Sequence, residues 1–293
     1  MQIRLGTGRS ALAVARSERV AEQLREHGHE VELIRVGEAN DPGPSSGAEL
    51  TTQLRGALHA GKCDVVVHSM EHVPVDPEPS LVIGAVLKRD DTRELLVARD
   101  GLTLEELPEG AVIGTRAEWR MAQVRHTRPD LTFEPVDGEI PDRLARIKKG
   151  DLDAIIFSAA ALTELGFEER ATDVLDIIPA IGQAALGLEC RAFHTEIIEA
   201  LKPLNDAETR ICIMTERAAK RELRVLKGVP VGALAQRKGM LNLKAGAFSL
   251  DGKRRIVVEL GLPTSELHAG IIGQQAALAI LERGAQDLAM PSN

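Results

Sequence analysis

The stretch Asp64-Val65-Val66-Val67-His68-Ser69-Met70-Glu71-His72-Val73-Pro74 decides the fold. Three consecutive valines show no polar alternation, so the strand they form has apolar neighbours on both faces, as in a sheet covered by helices on each side. Pro74 argues against a helix after the strand, and the polar residues behind His68 read as a turn. Upstream, Ile3 to Gly6 is a short strand entering a turn. Ser10 caps a helix that carries Leu12, Val20 and Leu24 and stops at Gly28. Val31 to Val36 is strand-like, Gly37 to Ser46 is a loop, and Leu50, Leu54 and Leu58 mark a helix closed by Gly61. Strands alternating with helices call for a doubly wound α/β domain.

Downstream the pattern repeats. Ala111 to Gly114, Leu131 to Val136 and Asp153 to Phe157 read as strands, Trp119 to Arg128 and Pro141 to Lys149 as helices. The charged run Lys88 to Arg93 between the two blocks reads as a hinge. After Gly187 the character changes to a long helix, Asp206 to Leu223, with Ile211, Met214 and Ala218 on one face. Strands follow at Val231 to Gln236, Leu241 to Phe248 and Arg255 to Leu260, the last two joined through Asp251-Gly252, and a helix at Ser265 to Arg283 ends the chain. The expected architecture is α/β, two doubly wound domains with a cleft between them, plus a small α+β C-terminal domain. The expected boundaries are residues 1–90 with 182–203, then 91–181, then 204–293.

Composition narrows the function classes. The 293 residues hold 36 Lys+Arg against 44 Asp+Glu, a formal charge of −8 that argues against a general nucleic-acid binder. Aromatics at 2 % leave little for base stacking or membrane belts. No apolar run approaches the ~20 residues that span a bilayer, and the N-terminus reads as a strand rather than a leader, so the expectation is a cytoplasmic protein with no membrane contact. Cys63, Cys190 and Cys212 lie far apart with no CxxC spacing, which points to reduced, buried thiols and to neither a disulfide frame nor a zinc site.

In open α/β sheets ligands bind outside the carboxyl ends of strands, which directs attention to the turns at Gly6 to Ser10, His68 to His72, Gly114 to Arg116, Asp137 to Glu139 and Ser158-Ala159. Gly6-Thr7-Gly8-Arg9-Ser10 offers glycines, hydroxyls and a cation for an anion but lacks the spacing of a nucleotide loop. His68 and His72 stand four apart without a third metal ligand, which leaves His68 at a strand end and His72 in a loop. The basic runs Lys148-Lys149, Arg237-Lys238 and Lys253-Arg254-Arg255 read as solvated helix ends and hairpin turns.

Those turns and their order resemble the porphobilinogen deaminase (hydroxymethylbilane synthase) family over essentially the full length. The resembling segments are Gly6 to Ala13, Asp64 to Pro74, Glu105 to Thr115, Arg128 to Leu131, Asp153 to Leu165, Ile178 to Arg191, Pro203 to Asn205 and Thr215 to Ala218. The resemblance implies two domains like those of type II periplasmic binding proteins with a small third domain. It also implies a dipyrromethane primer on a Cys, an Asp in an HSxKD turn that handles proton traffic, and Arg and Lys side chains that bind the acetates and propionates of primer and substrate.

Carried over residue by residue, the resemblance places Lys227 at the cofactor-bearing Cys position and His72 at the catalytic Asp position, with Glu71 for the preceding Lys. The GGKGLF segment aligns with Ser45 to Leu50 and loses its Lys. The expected ligand cleft comprises Thr7, Arg9, Ser10, Ser69, Arg116, Trp119, Arg120, Arg143, Arg170 and Arg191, with Trp119 in place of a ligand-binding Arg. Asp137 and Glu139 stand where the family has Arg and Asn. The expectation is a monomer of tetrapyrrole-biosynthesis ancestry that carries no cofactor or metal and is repurposed to bind a small anionic ligand or to altered activity. The alternative is an active hydroxymethylbilane synthase, a deaminating transferase that joins four porphobilinogen units with release of ammonia.

Overall fold

The computed structural model of the chain describes residues 1–37 and 46–290. The elements run β1 (Gln2–Thr7), α1 (Ala11–Glu26), β2 (Glu30–Arg35), α2 (Gly47–His59), β3 (Val65–Ser69), β4 (Leu81–Val86), β5 (Glu94–Ala98) and β6 (Val112–Gly114). They continue with α3 (Glu118–Thr127), β7 (Thr132–Glu134), α4 (Ile140–Lys149), β8 (Ala154–Ser158), α5 (Ala159–Glu164), β9 (Asp173–Leu175), β10 (Leu186–Arg191) and α6 (Thr195–Leu201). The last are α7 (Ala207–Leu223), β11 (Val231–Lys238), β12 (Met240–Phe248), β13 (Arg255–Pro263) and α8 (Glu266–Glu282). Of the loop expected over Gly37 to Ser46, residues 38–45, including Ser45 of the aligned segment, lie outside the described residues.

The chain forms two compact units. The first takes Met1–Asp90 and Ala184–Ile211, the second Asp91–Gln183 and Cys212–Asn293. In the first unit the strand order is β2-β1-β3-β10-β4. β1, β2 and β3 run parallel, whereas β10 is antiparallel to both β3 and β4. Val65 and Val66 are thus buried as the composition requires and Val67 partly so, in a sheet that is mixed rather than wholly parallel. Val65 faces a core of Ile3, Leu5, Leu24, Leu188 and Leu201 under α1 and α6, and Val66 faces Leu54, Leu58 and Cys63 under α2. Removing each such large side chain from water contributes about 1.5–3 kcal/mol, and this two-sided burial fixes the strand's register.

The second unit holds a sheet of order β7-β6-β8-β5-β9 and an antiparallel sheet of order β11-β12-β13. The first is packed through Leu96, Ile113, Val124, Ala154 and Ile156. In β12, Leu241, Leu243 and Ala245 are buried while Asn242 and Lys244 alternate outward, and α8 covers the buried face through Ile272, Ala276 and Ile280.

Two sequence readings change. On α7, Met214 is exposed, and the buried residues include Cys212, Ile213, Thr215, Glu216, Ala218 and Ala219. The helix is covered on two flanks, which a single apolar stripe does not describe. The run Lys88 to Arg93 is bracketed by β4 and β5, two strands not read from the sequence, and the first unit gives way to the second within it, between Asp90 and Asp91, where the hinge was expected. Among the described residues no helix is long and apolar enough to cross a membrane.

Candidate functional site

In the first unit the carboxyl ends of β1, β3 and β4 meet the start of β10, and the turn after β3 carries the exposed chemistry. Met70, 2 % exposed, and Val73, 1 % exposed, point inward and anchor that turn. The Met70 N–H donates to the Ala185 carbonyl at 2.9 Å, the His72 N–H to the Ser69 carbonyl at 3.1 Å. Met70 seats its sulfur over Gly187, where a β-carbon would fall 2.3 Å away. Ser69, Glu71 and His72 are left at the surface. His72 Nε2 stands 3.6 Å from Glu71 Oε1, and Arg16 on α1 donates from Nη1 to the Ser69 hydroxyl at 3.0 Å.

Beneath this turn lies a cluster that sequence reasoning missed. Glu189, on β10, accepts from Arg55 at 2.9 and 2.7 Å and from His68 Nε2 at 2.9 Å. Burial alone pushes the Glu189 carboxyl up, but the hydrogen bonds and charges of His68 and Arg55 bring it down to about 2. The carboxylate is therefore ionised and His68 Nε2 donates to it. Arg16 was missed too. Its signal was a cation on the helix that leaves the β1 turn, placed to reach back toward the strand ends.

The other expected residues of this unit are engaged in structure. Thr7 is 1 % exposed and donates to the Ala13 carbonyl at 3.0 Å. Ser10 caps α1 by accepting from the Ala13 N–H, and Arg9 donates to the Gly37 carbonyl at 2.8 Å. Arg191 is not brought to the site. It lies at the amino end of β3, since Cys190 pairs with Val65, and bonds the Leu58 carbonyl at 2.8 Å and Asp64 at 3.3 Å.

In the second unit Trp119 and Arg120 open α3 beyond the carboxyl end of β6. Arg120 forms an ion pair with Glu94, whose side chain is 0 % exposed, at 2.8 Å, and donates to the Ile156 carbonyl at 3.1 Å. Its guanidinium carbon lies 5.4 Å from the Trp119 ring centroid, a cation–π contact, and the shielded Trp119 indole N–H has no acceptor among the described residues. Arg116 pairs with Asp137, both more than half exposed. Arg143 donates from Nε to the Gly138 carbonyl at 2.7 Å. Burial, aided by Arg120, lowers its pKa, and the carboxylates of Asp137 and Glu139 oppose that.

Arg170 is not part of this cluster. It is exposed on the turn before β9, whose Asp173 pairs with Leu96, away from the Glu94 end of β5. Lys227 stands exposed in the turn between α7 and β11. The burial that would make its amine nucleophilic is missing.

The family model for the porphobilinogen deaminase dipyrromethane cofactor binding domain matches residues 3–199. The chain is 39 % identical over 303 residues to porphobilinogen deaminase of Corynebacterium glutamicum (strain R), covering 98 % of each. It is 36 % identical over 304 residues to that of Mycobacterium leprae, covering 98 % of this chain and 96 % of the other. An arginine-specific periplasmic binding protein of Salmonella typhimurium covers 71 % of this chain, and 93 % of its own chain is covered, at 15 % identity and a TM-score of 0.44.

The expectation that no cofactor belongs to this chain is corrected by the family match, because the matching domain is the one that binds dipyrromethane. The thiols of this chain do not fit a thioether to that group. Cys63, Cys190 and Cys212 are all buried, and burial pushes Cys63 and Cys190 up to about 11. With the family model matched over two thirds of its length and relatives aligned end to end, the chain belongs to the porphobilinogen deaminase family.

Proposed function

We propose that this chain binds a small carboxylate-bearing pyrrolic ligand of the porphobilinogen class, as a cytoplasmic monomer, without running the deaminating polymerisation. The observation that carries this reading is the engagement of the guanidinium groups in the second unit. Arg116 pairs with Asp137, and Arg120 with the wholly buried Glu94. A growing oligopyrrole adds carboxylates with every unit and needs cations to receive them. Each charge-assisted hydrogen bond it fails to make is worth about 1.5–3 kcal/mol. A single pyrrole needs far fewer.

The first unit supports the same reading. Arg16 and Ser69 suit one carboxylate, and His72 stands where the family places the Asp that handles the protons. A carboxylate steadies the cationic intermediates of deamination, whereas neutral imidazole does not and imidazolium repels them. The second reading, an active hydroxymethylbilane synthase, is favoured by the relatives, 36–39 % identical and all named porphobilinogen deaminase.

Mixing the purified chain with porphobilinogen in a calorimeter, with ammonia assayed in parallel, separates the two. Saturable heat and a change in Trp119 emission without ammonia release is the expected result. Sustained ammonia release establishes the second reading, and the absence of both signals removes any role for this pyrrole.

A further inference from the structure

Gly47 opens α2 directly after Ser46, whose hydroxyl accepts from the Glu49 N–H at 3.2 Å. The His72 ring lies against its α-carbon. A β-carbon on Gly47 would fall 2.0 Å from Cδ2, 2.1 Å from Nε2 and 2.5 Å from Cγ of that ring. Real β-carbons essentially never come within 3.0 Å of another heavy atom, so the imidazole and a side chain at position 47 exclude one another. The backbone does not ask for glycine here. Gly47 is helical and absent from the residues with positive φ, and glycine in a helix is less stable than alanine.

Position 72 has little freedom to move the ring elsewhere by its backbone. Its N–H is bonded to Ser69, and Met70 and Val73 on either side of the turn are buried. One part of the ring meets Gly47, while 40 % of the side chain stays exposed, with Glu71 Oε1 3.6 Å from Nε2. α2 is itself tied to the sheet through Arg55 and Glu189. The ring is thus held between a pinned turn and a pinned helix.

We infer that Gly47 is the positioning residue for His72. The first turn of α2 leaves out a side chain so that the imidazole is seated at the carboxyl end of β3, beside Ser69, as a hydrogen-bonding group for the ligand. That last clause rests on the function proposed above, and the seating itself does not.

The test compares Gly47→Ala, His72→Ala and the double variant, with Gly56→Ala as a control, since Gly56 lies in the same helix with open space around it. Because the ring can swing toward solvent, Gly47→Ala is expected to melt close to wild type while the carbon-bound imidazole proton resonances of His72 move to those of a solvated histidine. Gly56→Ala leaves them in place. Porphobilinogen affinity is expected to fall about tenfold in Gly47→Ala and in His72→Ala, the loss of one hydrogen bond, and no further in the double variant. Unmoved His72 resonances in Gly47→Ala overturn the seating, as do losses that multiply in the double variant. If Gly47→Ala does not fold, His72→Ala reads the same contact from the other side. Loss of the ring-current shift on the Gly47 amide is expected, and an unchanged amide overturns the inference. Should wild type not bind porphobilinogen, the reading above fails while the resonances still decide this one.

Discussion

Glu189 keeps 3 % of its side chain in contact with solvent and stays ionised because Arg55 and His68 replace the water it lost. A carboxyl held near 2 in the fold and at its ordinary 4.5 when unfolded favours the folded state at every pH above 4.5. That contribution, roughly 3 kcal/mol, is lost as pH falls toward 2. Urea midpoints taken from pH 7 to pH 3 are expected to decline in wild type and to lose part of that slope in Glu189→Gln, the rest belonging to other carboxylates held low in the fold, such as Asp64. The variant also starts lower at neutral pH, by about 3–5 kcal/mol, because Arg55 and His68 lose their shared partner. At this scale the sequence was legible only in part. Gly47 and His72 read as two separate positions in two separate turns, yet they touch. Arg55 and His68 are 134 and 121 residues from Glu189, a distance no local pattern bridges.

Between elements, α8 crosses α7 at close range. A β-carbon on Gly273 would fall 2.3 Å from the Thr215 carbonyl oxygen and 2.6 Å from the Ala218 β-carbon, whereas Gly270, one turn earlier, has nothing within 4 Å. Gly273→Ala is expected to cost about 1–3 kcal/mol by forcing the helices apart. Gly270→Ala, on open surface, is expected to be neutral or to stabilise by about 0.5–1 kcal/mol. Thermal melts of the two variants side by side check the contrast. Helices with a cap and one apolar stripe, such as α1 behind Ser10 and α2 behind Ser46, were readable from the residues alone. α7 was misread because its buried residues wrap past one stripe. β10 was quoted as part of a resemblance but not read as a strand, since a glycine, a glutamate and an arginine interrupt its apolar residues. Only its neighbours on both sides make that composition acceptable inside a sheet.

For the molecule as a whole, the order β2-β1-β3-β10-β4 makes the first unit discontinuous in sequence. Among the described residues β4 has no partner in this sheet except β10, and β3 has β10 as one of its two neighbours. A fragment of residues 1–90 therefore ends with β4 unpaired and one flank of β3 bare. It is expected to show no cooperative urea transition by circular dichroism, whereas the full chain does. A cooperative transition in the fragment would mean that the first four strands suffice. The alternation that marks each α/β block was visible in the residues, but which later segment completes the first block was not, because pairing across intervening residues carries no periodic signal. The arrangement also gives the nascent chain an order of events. At about 5–20 residues per second, the interval between the synthesis of β4 and that of β10 lasts roughly 5–20 s. All strands of the β7-β6-β8-β5-β9 sheet are made within that interval. The strands β1 to β4, made before β10, have to wait with an unsatisfied edge. During that time the open edge is a site for mispairing that a chaperone could shield.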